Sequence, residues 1–230
     1  MAPNIILLGP AGAGKSTQVD QLVTHQNYHP ISLGKFLRSE QFLRSPLGAR
    51  LTRLLNTGLL IDDFTANTTL FSIIQQSPKD KPFVIDGFPR NTQQAEKLKK
   101  FTADNNISID LIFELNVSSE LASNRIHDQA AREKSGQDDQ INDQINTQSN
   151  KIVIHDDTEE AIHNRLQSYN DEINSVREAL NNWAKYVVVD ANKPRDEITA
   201  SLFEQLQQFN RKAGDSAANR KTLKTKFPRL

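Results

Sequence analysis

The 230-residue chain contains no cysteine, one methionine and one tryptophan. Without thiols it can form no disulfide, no thiolate zinc site and no cysteine nucleophile, a composition that suits a reducing compartment. Charge of one sign is not in excess either. The 28 Lys and Arg residues balance 28 Asp and Glu, so the whole chain has no electrostatic pull toward nucleic acid or an anionic membrane. Long apolar runs are also missing. The N-terminal run Ile5-Ile6-Leu7-Leu8 lacks a basic leader and is too short for a signal peptide, and no stretch approaches the length of a membrane span. A cytoplasmic protein is expected, with neither a membrane nor a nucleic-acid partner. The length allows one α/β domain with small insertions around a sizeable core.

What is present is an alternation of short apolar runs and helical patterns, the signature of a parallel sheet covered on both faces. The expected strands are Ile5–Leu8, His29–Ser32, Phe83–Asp86, Leu111–Asn116 and Tyr186–Asp190. Ile162, Leu166, Tyr169, Ile173, Val176 and Leu180 recur at helical intervals, with Asp157 and Glu160 as a capping pair before them. A last helix is expected from Pro194, a favourable first-turn residue, burying Ile198, Leu202, Leu206 and Phe209.

Three stretches fall outside this rhythm. Residues 33–61 read as short helices broken by Pro46, Gly48 and Gly58. Residues 128–156 are rich in Asp, Asn and Gln and have little core of their own. Residues 211–230 carry seven Lys or Arg against one Asp without an apolar period, and read as a disordered or loosely docked basic tail.

The chemistry starts at Gly9-Pro-Ala-Gly-Ala-Gly-Lys15-Ser16-Thr17, directly behind the first strand. A glycine-rich loop between a buried strand and a helix aims backbone N–H groups at phosphate oxygens, and the helix dipole adds to them. Lys15 would reach the β- and γ-phosphates of a nucleoside triphosphate, and the Ser16 hydroxyl would ligate Mg²⁺. Phe83-Val-Ile-Asp86-Gly87-Phe88-Pro89-Arg90 ends another strand with an acid suited to the Mg²⁺ water shell, followed by an arginine able to fork a second phosphate. Ser32-Leu33-Gly34-Lys35-Phe36-Leu37-Arg38 supplies a further arginine.

With these strings, together with Gly58-Leu59-Leu60-Ile61, Gln94 and Val189-Asp190 leading to Lys193-Pro194, the chain resembles the nucleoside monophosphate kinases, and among them the adenylate kinases. The resemblance implies a parallel sheet of the P-loop NTPase type flanked by helices, with two inserted lids. The core would be 1–32, 62–127 and 157–210, the monophosphate lid 33–61 and the triphosphate lid 128–156. Gly12, Ala13, Gly14, Lys15, Ser16 and Thr17 would hold ATP phosphates, with Arg125 and Lys193 near its base. Arg38 and Arg90 would grip the monophosphate's phosphate, and Gln94 would hydrogen-bond adenine. Leu33, Leu59, Leu60, Ile61, Gly87, Phe88 and Pro89 would line the same pocket. Arg165 would lie near the transferring group, and Ser16 and Asp86 would hold Mg²⁺, partly through water. A monomer acting on ATP and a nucleoside monophosphate is implied.

The chain departs from the family pattern in places. Ser16 replaces the usual Gly, Leu33 the usual Thr, and Lys35 an acid. Gln129 and Ile154 stand where the lid ordinarily carries arginines, and residues 128–157 hold seven acids against three bases. The cluster His155-Asp156-Asp157 is not read as a metal site, because the Asp pair is a family feature, and the missing cysteines exclude lid zinc. Alternative readings stay open. Leu33 and Asn91 suit a CMP or UMP kinase, the altered lid suits a catalytically weak ATP-binding protein, and the basic tail alone suits a nucleic-acid-binding ATPase.

Overall fold

The computed structural model describes residues 2–39, 42, 44, 61–135 and 158–226, with 133–135 and 212–226 described by their backbone only. In chain order the elements are β1 (Ile5–Leu8), α1 (Lys15–Gln26), β2 (His29–Ser32), α2 (Leu33–Leu37), α3 (Asp63–Gln76), β3 (Phe83–Asp86), α4 (Thr92–Asp104), β4 (Leu111–Asn116), α5 (Ser119–Ser135), α6 (Glu159–Leu180), β5 (Lys185–Asp190) and α7 (Arg195–Lys226). The five strands form one parallel sheet in the order β2-β3-β1-β4-β5.

β1 lies at the centre, and its four residues are fully buried. Side chains alternate across a strand, so Ile6 and Leu8 join one core with α3, α4 and α6, while Ile5 and Leu7 join the other with α1 and α7. A run that is apolar at every position, not every second one, is what a strand covered on both faces requires. Each such side chain stabilises the fold by about 2 kcal/mol.

The helices differ from expectation at their ends. α6 is capped by Thr158, whose Oγ1 accepts from Ala161 N at 3.2 Å, and not by Asp157. Pro194 precedes α7 instead of opening it, and its carbonyl accepts the Glu197 and Ile198 N–H groups. β5 begins at Lys185, one residue earlier than the apolar run suggests. The largest difference is the tail. α7 continues as helix from Arg195 to Lys226, through most of the segment read as disordered. Ala, Lys, Arg and Leu in that segment favour helix intrinsically, and missing apolar periodicity does not remove that preference. Residues 128–135, placed by sequence in the polar insertion, likewise complete α5.

One polar group sits deep in this core. Glu114 on β4 is 1 % exposed and accepts from Arg177 Nε at 2.8 Å, Tyr186 Oη at 2.6 Å and Tyr169 Oη at 3.3 Å. Burial alone would push its carboxyl up, but the Arg177 fork and the two hydroxyls outweigh burial and hold it below the usual carboxylate range. The stability this gives is present at neutral pH and lost as pH falls through the depressed value. Removing one partner of a buried pair strands the other charge. Arg177→Met is therefore expected to cost about 2–3 kcal/mol at pH 7, somewhat less than breaking a fully buried pair because the arginine is partly exposed. Urea denaturation at neutral pH and near pH 4 checks this. The gap between variant and wild type narrows in acid, where Glu114 becomes neutral in the variant.

Candidate active site

Three parallel strands end at the site. β1 runs into the glycine loop, where Gly12 and Gly14 take φ values of +75° and +88°. These are left-handed conformations that glycine adopts without Cβ strain. A Cβ on Gly12 would stand 2.2 Å from the Ala122 carbonyl oxygen of α5, whereas one on Gly14 would meet nothing within 4 Å. Gly12 thus lets the loop press against α5, and Gly14 borders open space. Gly14 is also the N-cap of α1, which has neither a side-chain cap nor an acid in its first turn. The first N–H groups of α1 and its positive dipole end are left to an outside anion.

Lys15 opens α1, and its Nζ donates to the carbonyls of Gly9 at 2.8 Å and Pro10 at 2.7 Å. Burial lowers its ammonium to about 8. Asp86 pulls it upward, and Arg90 and Arg165 push it down. Ser16 is exposed in the first helical turn, Thr17 is half-buried, and Ala13 is packed in the core.

Asp86 closes β3 in register with Leu7 of β1 and Ser32 of β2. Ser32 Oγ donates to Asp86 Oδ2 at 3.1 Å and accepts from Lys35 N at 3.3 Å, so one hydroxyl caps α2 and steadies the carboxylate. Past Asp86 the chain turns at Gly87, whose N–H donates to Leu7 O at 2.9 Å and whose φ is +70°. A cis peptide joins Phe88 to Pro89. Both are buried, and Arg90 emerges from them into solvent with its Nε donating to Gly87 O at 3.1 Å. The surrounding protein mass lowers the Arg90 pKa, as do Arg38 and Arg165, while Asp86 raises it.

Four cations are therefore coupled through their charges: Arg90 and Arg165 act on Lys15, and Arg38 and Arg165 act on Arg90. Among the described residues, Asp86 is the carboxylate whose charge acts on both Lys15 and Arg90. Such mutual repulsion is unfavourable until a polyanion binds among the cations. The arginines come from separate elements. Arg38 ends α2 with its guanidinium donating to Gly34 O at 3.2 Å, Arg90 precedes α4, and Arg165 lies on α6.

The remaining expected residues fall into three groups. Leu33, Ile61 and Phe88 are buried and pack in the core shared by α3 and α4. Leu59 and Leu60 lie outside the described residues, as do Ile154 and the His155-Asp156-Asp157 cluster. Arg125 is half-buried on α5, and Gln129 follows one turn later on the same helix. Lys193 is exposed in the turn before α7, where Gln18 reaches across from α1 to Thr199 at 2.9 Å and to Arg195 O at 3.5 Å. Gln94 is 2 % exposed and already engaged. Its Oε1 accepts from Arg90 N and its Nε2 donates to Asp63, both at 2.8 Å.

Two participants escape sequence reading, Ser32 as the partner of Asp86 and Asp63 as the partner of Gln94. A weak signal exists for Asp63. Helix α3 opens on two acids, and Asp62 alone caps it through Thr65. Asn91, which suits a pyrimidine kinase in sequence, has internal work instead. Its Oδ1 caps α4 by accepting from Gln94 N at 2.9 Å, and its Nδ2 donates to Asp63.

Comparison with known proteins agrees with this arrangement. The family model described as adenylate kinase matches residues 7–185. An adenylate kinase of Hydrogenobaculum sp. is 31 % identical over 213 residues, covering 89 % of this chain and 99 % of that protein. Adenylate kinases of Pelagibacter ubique (30 % identical, 89 % and 99 % covered) and Vanderwaltozyma polyspora (29 % identical, 88 % and 95 % covered) match over similar spans. A phosphate loop, a carboxylate at the end of β3 and arginines converging from three elements thus accompany a match along most of the sequence, and the chain belongs to the adenylate kinase family.

Proposed function

We propose that this chain transfers the γ-phosphoryl group of ATP to AMP, giving two ADP, by direct in-line displacement. The observation that carries the reading is the convergence of Lys15, Arg38, Arg90 and Arg165 beside Asp86, where two phosphate chains would meet. One would lie on the glycine loop and the N-terminus of α1, in the open space beside Gly14. The other would be gripped by Arg38 and Arg90.

An oxygen of the AMP phosphate forms the new P–O bond as the bond to the β-phosphate oxygen breaks, and ADP leaves with that oxygen. The transition state spreads negative charge over the equatorial oxygens, so positioning and fixed positive charge do the catalysis. Lys15 and Arg165 supply that charge, and no protein nucleophile is needed. Ser16 and Asp86 would hold Mg²⁺, partly through water, and the ion would offset the negative charge of the phosphates. Residues 33–61 and 128–156 would close over the two substrates and exclude water, which limits wasteful hydrolysis. Arg125 and Lys193 would border the ATP base. The proposed reaction needs a single chain, so a monomer is expected, and the cysteine-free composition suits the cytoplasm. No helix among the described residues is long and apolar enough to cross a membrane.

The test is phosphoryl transfer from Mg-ATP to AMP, dAMP, CMP, UMP and GMP in parallel, with products separated. Rapid ADP formation with AMP is the expected result. Preference for CMP or UMP would overturn the choice of acceptor. ATP binding without transfer would favour the second reading, a binding protein weakened by Gln129 and Ile154 in place of lid arginines.

A further inference from the structure

We infer that Asp63 is a specificity-determining positioning residue, acting through Gln94. The inference rests on the proposal that Gln94 reads the acceptor base. A glutamine amide carries two donors on one side and an acceptor oxygen on the other, and turning it over exchanges what it offers a ligand. In this chain both sides are fixed. The Arg90 backbone N–H can only donate, and it meets Gln94 Oε1 at 2.8 Å. The Asp63 carboxylate can only accept, and its Oδ1 takes a Gln94 Nε2 hydrogen at 2.8 Å.

Asp63 is itself held in place. Asn91 Nδ2 donates to both of its oxygens, at 2.9 and 3.2 Å, while Asn91 Oδ1 is committed to Gln94 N. Capping of α3 falls to Asp62, so the Asp63 carboxylate is available to α4. Gln94 is nearly shielded from water, so solvent does not compensate a reversed amide.

After these bonds the amide keeps one N–H and one oxygen lone pair. That pair complements an edge with a ring-nitrogen acceptor beside an exocyclic amino donor, as in adenine. Guanine presents the reverse, a ring N–H beside a carbonyl oxygen, and would set donor against donor. Cytosine shares the adenine pattern and uracil the guanine pattern. Amide orientation therefore separates A and C from G and U, and pocket size is left to separate A from C.

The experiment compares kcat/KM for AMP and GMP in wild type, Asp63→Ala, Asp63→Asn and Gln94→Ala, with thermal melts on each. Asp63→Ala is expected to lower the AMP:GMP ratio at least tenfold, mainly through KM for AMP. Asp63→Asn, which can offer either an oxygen or an amino group, is expected to lower it three- to tenfold. If the alanine variant does not fold, the asparagine variant decides alone. Equal losses with both acceptors, or an unchanged ratio, would make Asp63 merely structural and overturn the inference while leaving the kinase reading intact, provided Gln94→Ala does lower the ratio. No effect from Gln94→Ala would remove Gln94 as the base reader, and the Asp63 inference with it.

Discussion

Lys15→Ala is expected to lower kcat by about 10³-fold, the scale set by removing one fixed charge from a phosphoryl-transfer site. Arg90→Ala should lose a similar factor. Neither change should unfold the chain, because neither side chain packs in the apolar core. Lys15 also gives the reaction a pH signature. Its free-state value of about 8 lies well below that of an ordinary lysine. A bound triphosphate favours the charged form and raises the value again. ATP binding near pH 8 should therefore take up a fraction of a proton, and affinity should fall as pH climbs above 8. Titration calorimetry in two buffers of different ionisation enthalpy measures the uptake, and Lys15→Ala should abolish it. Full activity in both variants would refute the assignment of these two cations.

The second large effect separates two glycines only two positions apart. Gly12→Ala places a methyl 2.2 Å from a backbone oxygen of α5, at a φ that alanine resists. Neither partner is a flexible side-chain end, so the loop or α5 must move. We expect a loss of about 3 kcal/mol or more, from overpacking and backbone strain combined. Gly14→Ala meets no neighbour, so only the left-handed backbone opposes it, at about 1–2 kcal/mol. Its methyl instead enters the space beside the first turn of α1, where the triphosphate is proposed to sit. Gly12→Ala should thus fail first in a thermal melt, and Gly14→Ala first in ATP binding. The opposite order would show that the two positions have been misread.

What the sequence discloses follows the range of the interaction. Four of the five strands are legible to the residue: β1 is an unbroken apolar run buried on both faces, β3 and β4 open on buried apolar triplets, and β2 matches although Ile31 is its single buried residue. β5 starts early because Lys185 joins the ladder through its backbone, beside Leu111, whatever its side chain prefers. The cap of α6 slips by one residue because Thr158 and Asp157 are both good caps, and the chain path decides between them. The glycine loop is legible as a local string. Ser32 with Asp86, Asp63 with Gln94, and Glu114 with Arg177 are not, since they join positions 54, 31 and 63 residues apart. Such pairs exist only once the sheet and its helices are assembled. Gln94 shows the same limit from the other side, because its type suggests a base contact while its two protein bonds become visible only in three dimensions.

The buried Glu114 cluster carries a consequence for how this sequence can change over generations. Losing Arg177 alone strands a carboxylate inside the core, and losing Glu114 alone leaves two tyrosine hydroxyls and a guanidinium short of their acceptor. Replacing the whole set with apolar side chains of similar volume costs little or even stabilises. Positions 114, 169, 177 and 186 are thus a unit of inheritance, separated from an apolar alternative by intermediates of low fitness. Descendants are expected to keep all four polar groups or to exchange them together, and a lineage with one replaced should carry a compensating change at another.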